Sequence, residues 1–409
     1  MLIFVFLWLF QAPPAADFDA VLQQGLAALN RNDLATAQSK LEAASRLHPR
    51  DPQVWLGLAQ TYLKSNKKKD AEMAAHVAES FVGNDPRMLH ALSIYYAETQ
   101  NFAKAAALES RYAAEAPGDR QATLRAVELY RKSGQPKIAI ALASKVLVGD
   151  DRADLHDLLG KAYEADGQSG KAVLELQHAI RLNPYEESYY FDLGQLLLEH
   201  QNFDAAIQTL EAGRKVFDKS AQIELALGVA YYGQRRFPDA VNSFLRTIEL
   251  APAVEQPYVF LGRILDQADA RLVEIRQRFA QYAAANPKSY LGHFLYGKAL
   301  IAESGKPDEA EAALRRSIAL NDGYWESHFE LGVLLERKRD FTGAVRELER
   351  SIKLNPKSPV PHYRLARVYD RMGQPARAKE ERARHGLLLA EEKGVAEKRA
   401  AGVKRMERR

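Results

Sequence analysis

Residues 221–252 read AQIELALGVAYYGQRRFPDAVNSFLRTIELAP, and this stretch carries the pattern that decides the fold. Apolar residues recur at helical spacing on both sides of its middle, which is typical of two helices that each bury one stripe. The small residue Gly228 falls where two helices of a hairpin cross closely. Pro252 ends the second helix before the next segment begins. The stretch therefore predicts one helix-turn-helix hairpin.

The same pattern recurs along the chain with a period of 33–35 residues. The small or compact first-helix residue returns at Gly25, Ala59, Ser93, Val127, Gly160, Gly194, Gly228, Gly262, Gly297, Gly332 and Ala366. An independent second-helix series runs through Ala37, Ala71, Ala105, Ala139, Ala172, Ala206, Ala240, Ala310, Ala344 and Ala378. Because two registers agree over the whole chain, the sequence predicts about eleven stacked hairpins, an array whose stability comes from neighbouring units.

The repeat resembles the tetratricopeptide-repeat (TPR) family, whose signature is Leu-Gly, two residues, Tyr, then Ala, three residues, Phe, and a closing Pro. Leu227-Gly228, Tyr231, Ala240, Phe244 and Pro252 reproduce this signature almost completely. The resemblance covers nearly the whole chain. It implies an all-α fold, a right-handed α-solenoid superhelix of about eleven hairpins with a C-terminal capping helix.

Three segments follow from this reading. Residues 17–385 are expected to form the repeat array, and residues 386–409 a capping helix and a basic tail. Within the array, residues 262–287 lack the usual polar turn and contain one extra residue, so a distorted hairpin is predicted there. Residues 1–16 are expected to be a signal peptide or a short membrane tether.

The apolar run Leu2–Phe10 carries the expectation for residues 1–16. It is shorter than the ~20 residues that a membrane-spanning helix needs, but it fits a signal-peptide core. No Lys or Arg precedes it, so a misassigned start or a buried cap are alternatives. A signal predicts an exported protein, periplasmic or associated with the cell envelope; without one the protein would be cytoplasmic.

Charge and cysteine content exclude several classes of protein. The net charge is +4, and residues 393–409 alone contain seven Lys or Arg against two Glu, so the remainder is almost neutral. Such a body lacks the basic stripe that nucleic acid requires. The tail is expected to be a solvated cap, with docking on anionic lipid or nucleic acid as the alternative. No cysteine is present, which excludes disulfides, thiol catalysis and Cys-ligated zinc.

Catalytic motifs are missing from the sequence. No HExxH, GxSxG or GxGxxG occurs, and the fragment Gly167–Ala172 lacks the spacing of a phosphate loop. Five histidines occupy similar places in first helices and are expected to pack rather than bind metal: His90, His156, His293, His328 and His362. The sequence therefore predicts a protein without enzymatic activity, cofactor or metal.

By resemblance to TPR proteins, the first helix of each hairpin lines a concave groove. Residues predicted to point into it in the C-terminal half are Phe191, Val259, Arg263, Phe294, Lys298, Phe329, Tyr363 and Arg367. Such a surface could hold a peptide through apolar pockets and charge-assisted hydrogen bonds. The alternative is that these aromatic residues pack between repeats and leave the groove bare.

The predicted function is a scaffold or adaptor that binds other proteins or peptides in this groove, in the assembly of a bacterial cell-envelope complex. One alternative is a helper subunit of a separately encoded enzyme such as a transferase. Another is a protein that binds lipid or nucleic acid through its basic tail. No small-molecule substrate is evident.

Overall fold

The computed structural model describes residues 17–406, apart from the side chains of Asp269 and of residues 395–406. This part of the chain consists of helices and contains no strand. The helices are α1 (Phe18–Asn30), α2 (Leu34–Leu47), α3 (Pro52–Lys64), α4 (Lys68–Phe81), α5 (Pro86–Glu98), α6 (Phe102–Glu115), α7 (Arg120–Lys132), α8 (Pro136–Leu147), α9 (Ala153–Ala165), α10 (Ser169–Leu182), α11 (Glu187–Glu199), α12 (Phe203–Val216), α13 (Ala221–Gly233), α14 (Phe237–Leu250), α15 (Gln256–Arg263), α16 (Leu272–Ala285), α17 (Tyr290–Glu303), α18 (Pro307–Leu320), α19 (Trp325–Arg337), α20 (Phe341–Leu354), α21 (Pro359–Arg371) and α22 (Pro375–Met406).

These helices form two compact units, which divide between Tyr189 and Tyr190. In the first unit α1 packs on α2, α3 on α4, α5 on α6, α7 on α8 and α9 on α10. In the second unit the same pairing holds for α13 with α14, α17 with α18, α19 with α20 and α21 with α22. Each of these pairs is one predicted hairpin. The all-α repeat fold expected from the sequence is thereby confirmed.

The recurring glycines make the close helix crossings possible. A Cβ atom built on Gly160 would lie 2.8 Å from Cγ of Leu176, and one on Gly194 would lie 2.5 Å from Cδ2 of Leu210. Both leucines are almost fully buried. Since real Cβ atoms do not approach a neighbour this closely, any larger residue would push the two helices of the hairpin apart.

Hairpin turns are set by a residue in the left-handed conformation. Gly134 has φ +74° at the turn between α7 and α8, and Asn32 has φ +59° between α1 and α2. Asp33 then caps α2, because its side chain accepts a hydrogen bond from the backbone N–H of Thr36. The polar residues between apolar-periodic segments therefore both turn the chain and start the second helix.

The segment 262–287 is irregular at its start. Helix α15 ends at Arg263 after eight residues, and two 3-10 turns at 265–267 and 269–271 connect it to α16. In place of a polar turn this connection carries Ile264 and Leu265, which are 3% and 2% exposed. The first helix of this hairpin is thus shorter than the first helices of the other hairpins. Helix α16 is then regular over Leu272–Ala285.

Successive repeats are tied by a hydrogen bond from the signature tyrosine. It donates to a glutamate of the preceding second helix in four repeats: Tyr62 to Glu42 at 3.0 Å, Tyr96 to Glu79 at 2.8 Å, Tyr231 to Glu211 at 2.5 Å and Tyr369 to Glu349 at 2.9 Å. Burial of the ring, and then the adjacent carboxylate, raise the pKa of Tyr62, Tyr231 and Tyr369 to about 12, and they raise the pKa of Tyr96 as well. The tyrosine hydroxyl thus remains a donor at any ordinary pH.

Within a hairpin, a second polar contact recurs between a histidine and a glutamate 19 residues later. Nδ1 of the histidine lies within hydrogen-bond distance of a carboxylate oxygen in four repeats: His90 and Glu109 at 3.0 Å, His156 and Glu175 at 2.6 Å, His328 and Glu347 at 2.8 Å, and His362 and Glu381 at 2.6 Å. His293 instead contacts the carbonyl of Pro287 at 3.2 Å. The four histidines that contact a glutamate therefore join the two helices of their hairpins.

The C-terminal end is one continuous helix. Helix α22 runs from Pro375 to Met406, so the cap expected from residue 386 onward is an extension of the last second helix. The expected signal segment 1–16 lies outside the described residues, as do the side chains of most of the basic tail. Among the described residues, no helix combines the length and the apolar character needed to cross a bilayer.

Candidate partner-binding face

First helices of successive repeats pack side by side in the second unit, where α15 contacts α17, α17 contacts α19 and α19 contacts α21. We call the surface formed by these four helices the first-helix face. Seven of the predicted groove residues lie on these helices: Val259 and Arg263 on α15, Phe294 and Lys298 on α17, Phe329 on α19, and Tyr363 and Arg367 on α21. The eighth, Phe191, lies on α11 and is outside this face. The predicted residues thus lie on the helices that the resemblance indicated.

The aromatic and apolar members of this set differ in exposure. Tyr363 is 46% exposed, whereas Phe191, Val259 and Phe329 are half-buried. Phe294 is only 5% exposed, and its ring packs edge-on against Tyr324 with centroids 5.0 Å apart. The prediction that Phe294 faces an open groove is not met in this structure, because the turn before α19 covers the ring. Tyr363 is therefore the aromatic side chain of the set that a partner can reach most easily.

Two cations of the face hold helix ends. Nζ of Lys298 donates to the carbonyl of Gly262 at 2.8 Å, where α15 ends early. Nη1 of Arg337 donates in the same way to the carbonyl of Ile301, near the end of α17, at 2.9 Å. Positive groups at helix C-termini satisfy carbonyls that have no partner within the helix. Lys298 is therefore partly engaged within the chain, while Arg263 is exposed.

Three arginines of α21 surround one buried carboxylate of α19. Glu336 is 3% exposed, and guanidinium nitrogens of Arg367, Arg371 and Arg364 lie 3.4, 3.7 and 3.9 Å from its oxygens. Oε1 of Glu336 makes no hydrogen bond. The side chains of the three arginines are between 31% and 47% exposed. In this arginine cluster three guanidinium groups therefore lie around one buried carboxylate, on side chains that remain partly open to solvent.

Two further carboxylates of α19, those of Glu326 and Glu330, are half-buried. Burial raises the pKa of Glu330, although Nζ of Lys298 lies 3.8 Å away and opposes the shift. Burial also raises the pKa of Glu326, whose Oε2 is buried without a hydrogen-bond partner. Titratable groups whose pKa is shifted by burial are common at functional sites.

Replacing Glu330 by glutamine is expected to raise the free energy of unfolding at pH 7, because burial raises the pKa of the Glu330 carboxyl and the folded state therefore disfavours its charged form. The pKa of Glu330 is higher in the folded chain than in the unfolded chain, so the folded state disfavours the ionised carboxylate. This loss of stability is complete when the pH is above the folded pKa, and it is absent when the pH is below the unfolded pKa. The gain should therefore disappear as the pH falls through this range.

Urea unfolding of Glu330→Gln and wild type at pH 7 and at pH 4 measures this difference. Glu380→Gln, which changes an exposed carboxylate on α22, is the matched control and should have almost no effect. A loss of stability in Glu330→Gln at pH 7 would mean that the carboxylate stabilises the fold, against our interpretation.

Residues of this face that the sequence analysis missed are Arg364, Arg371, Glu326, Glu330 and Glu336. A signal for the arginines was present, because positions 364, 367 and 371 follow the spacing i, i+3, i+7 and so share one side of a helix. The glutamates give no such signal, since glutamate is common on exposed helix surfaces. Their burial becomes visible only when α19 is packed between α17 and α21.

Models of the tetratricopeptide repeat match residues 22–76, 153–186, 191–255, 302–359 and 347–380, which together make up more than half of the chain. The chain is similar to a TPR repeat-containing protein of Treponema pallidum, with 23% identity over 259 residues, 56% of this chain and 32% of that protein. It is also similar to a lipoprotein NlpI homolog of Haemophilus influenzae, with 27% identity over 165 residues, 39% of this chain and 51% of the relative. It thus spans about a third of the first protein and about half of the second. Among solved structures, yeast Tom70 aligns with a TM-score of 0.39 and 16% identity over 96% of both chains.

Proposed function

We propose that this chain, which belongs to the tetratricopeptide-repeat family, is a scaffold that holds an acidic segment of a partner polypeptide on the first-helix face of its second unit. The observation that carries the proposal is the arginine cluster, in which Arg364, Arg367 and Arg371 share the single carboxylate of Glu336. Positive charge in excess of the chain's own carboxylates favours an anionic partner.

The chemistry of the cluster defines what the partner segment should contain. A guanidinium group offers a planar set of donors that fits a carboxylate with two parallel hydrogen bonds. Tyr363 precedes the cluster on the same helix and provides an exposed aromatic ring for an apolar side chain. A segment with two or more Asp or Glu residues beside an aliphatic or aromatic residue meets both requirements.

Selection from a displayed library of random peptides against the full chain tests this proposal. Enrichment of acidic peptides is expected, and their affinity should fall at least tenfold for the double variant Arg364→Gln/Arg371→Gln. This variant leaves Arg367 beside Glu336, so the buried carboxylate keeps a partner.

The matched control is Arg246→Gln/Arg315→Gln, which removes the same charge from the second helices α14 and α18. It should leave binding unchanged. Selected peptides without acidic residues, or equal losses of affinity in both double variants, would contradict the proposal.

A finer part of the proposal places this scaffold in the cell envelope, where it would take part in assembling a complex. The apolar run Leu2–Phe10 supports this location. Cell fractionation with N-terminal sequencing of the mature protein is the corresponding test. An envelope fraction whose chain starts near Asp17 would support export, and a full-length chain in the cytosol would contradict it.

A further inference from the structure

One of the four histidine–glutamate hairpins carries two additional metal-binding groups. In the hairpin of α9 and α10, His178 lies three residues after Glu175, and Asp151 lies in the connection before α9. The rings of His156 and His178 stack with centroids 4.2 Å apart. Nε2 of His156 is 2.7 Å from Oδ1 of Asp151, and Nε2 of His178 is 3.7 Å from Oδ2 of the same carboxylate.

These distances are compatible with a shared metal ion. One potential ligand atom from each of Asp151, His156 and His178 lies within 4.8 Å of the other two. Ligand atoms around a tetrahedral zinc ion are ~3.3 Å apart, given bonds of about 2.0–2.1 Å, so the observed separations of 2.7 and 3.7 Å bracket that value. The side chain of Asp151 is 59% exposed, which leaves the carboxylate free to adjust and the site open to water.

Glu175 contacts the ring of His156 on the side opposite Asp151. Its Oε2 is 2.6 Å from Nδ1 of His156, the ring nitrogen that faces away from Asp151. A histidine that donates its Nδ1 proton to a carboxylate presents the lone pair of Nε2 to a metal ion, and this arrangement recurs at metal sites in proteins.

The hairpin of α19 and α20 has the same histidine–glutamate pair but an arginine at the position that corresponds to His178. His328 contacts Glu347 through Nδ1 at 2.8 Å and approaches Oδ1 of Asp322 through Nε2 at 3.4 Å. Arg350, three residues after Glu347, takes the place of His178 and pairs with Asp322. Because an arginine satisfies this position structurally, the fold itself does not require a histidine at 178.

We propose that Asp151, His156 and His178 bind a divalent transition-metal ion of the Zn²⁺ class, with water in the remaining position. Two imidazole nitrogens and one carboxylate suit Zn²⁺, Co²⁺ or Ni²⁺, and the chain has no cysteine to compete for the ion. The site lies in the first unit, so it is independent of the proposed partner-binding face.

Binding requires one rearrangement at His178. Its Nδ1 accepts a hydrogen bond from Nη2 of Arg181 at 3.1 Å, and ligation through Nε2 places a proton on Nδ1 instead. Arg181 must then turn away, which its exposed position allows. The bound ion would tie the connection between α8 and α9 to the following hairpin.

Titration of the EDTA-treated full chain with ZnCl₂ in a calorimeter tests the site, with the visible spectrum of bound Co²⁺ as a second measurement. We expect one tight site per chain. His178→Arg, which copies the arrangement at Arg350, should fold as the wild type does by circular dichroism and lose at least tenfold in Zn²⁺ affinity. Glu175→Gln should weaken Zn²⁺ binding ~10–100-fold, which is the usual cost of losing a carboxylate that orients a metal-binding histidine.

His76→Ala is the matched control, because it removes a histidine whose side chain is 75% exposed and lies on α4. It should bind Zn²⁺ as the wild type does. A wild-type chain that takes up no stoichiometric Zn²⁺ or Co²⁺ would overturn the proposal. So would a His178→Arg variant with unchanged affinity, since His178 would then only form an ion pair with Asp151.

Discussion

Replacing Phe244 by alanine is expected to lower the free energy of unfolding by about 4 kcal/mol, the usual cost of emptying a phenylalanine site in a closed core. Phe244 is completely buried on α14 and stacks on Phe260 with centroids 5.0 Å apart and planes 7° from parallel. A Cβ atom on Gly228 would lie 2.5 Å from its Cε1. The residues around Phe244 are therefore held in place by close helix contacts and cannot fill the cavity that alanine would leave.

Urea unfolding followed by circular dichroism at 222 nm measures this loss, and Phe244→Leu is the matched control. Leucine occupies the equivalent place opposite Gly160, Gly194 and Gly332, as Leu176, Leu210 and Leu348. Phe244→Leu should therefore cost only about 1 kcal/mol. Equal destabilisation by alanine and leucine would show that the aromatic stacking, and not the filled volume opposite Gly228, stabilises this hairpin.

Replacing Arg125 by methionine is expected to cost about 3 kcal/mol, because it leaves a buried carboxylate without its main partner. Glu109 is 1% exposed, and its Oε1 accepts a hydrogen bond of 2.6 Å from Nε of Arg125. His90 remains at 3.0 Å but is itself one third exposed. Methionine keeps the length of the side chain, so the loss reports on charge more than on packing.

The double variant Arg125→Met/Glu109→Gln separates these effects in the same unfolding assay. Removing both charges should recover most of the stability that Arg125→Met loses, because no ionised group is then buried alone. A double variant as unstable as the single variant would contradict this interpretation. The packing of the arginine stem would then explain the loss.

The hairpin array could be predicted from the sequence because its key contact is local and repeats. Gly160 and Leu176 are 16 residues apart and face each other where the two helices of one hairpin cross. Every hairpin solves the same steric problem, so the small residue returns with a nearly constant period. A single copy of the pattern would have carried little weight.

Side-chain exposure on the first-helix face could not be predicted in the same way. Phe294 occupies a position that resemblance assigns to an open groove, yet Tyr324 from the following repeat covers its ring. Exposure depends on the residue that happens to precede α19, which no periodicity reveals. The early end of α15 is a similar case, because it precedes a connection in which Leu265 is buried, and the repeat period does not reveal that burial.

Pairing between histidine and glutamate was also not foreseen. Each of these histidines, His156 among them, looks like an ordinary packing residue when its first helix is considered alone. The signal becomes visible only when the two helices of a hairpin are aligned with each other. The same alignment shows that His178 is exceptional, because the equivalent position in the hairpin of α19 and α20 is Arg350.

Hydrogen–deuterium exchange of the full chain, with and without an acidic peptide obtained by selection, tests the central claim most directly. We predict slower exchange in α19 and α21, where Glu336 and the arginine cluster lie, and unchanged exchange in the second helices α18 and α20. Protection confined to the first unit, or to the second helices, would contradict the assignment of the partner-binding face.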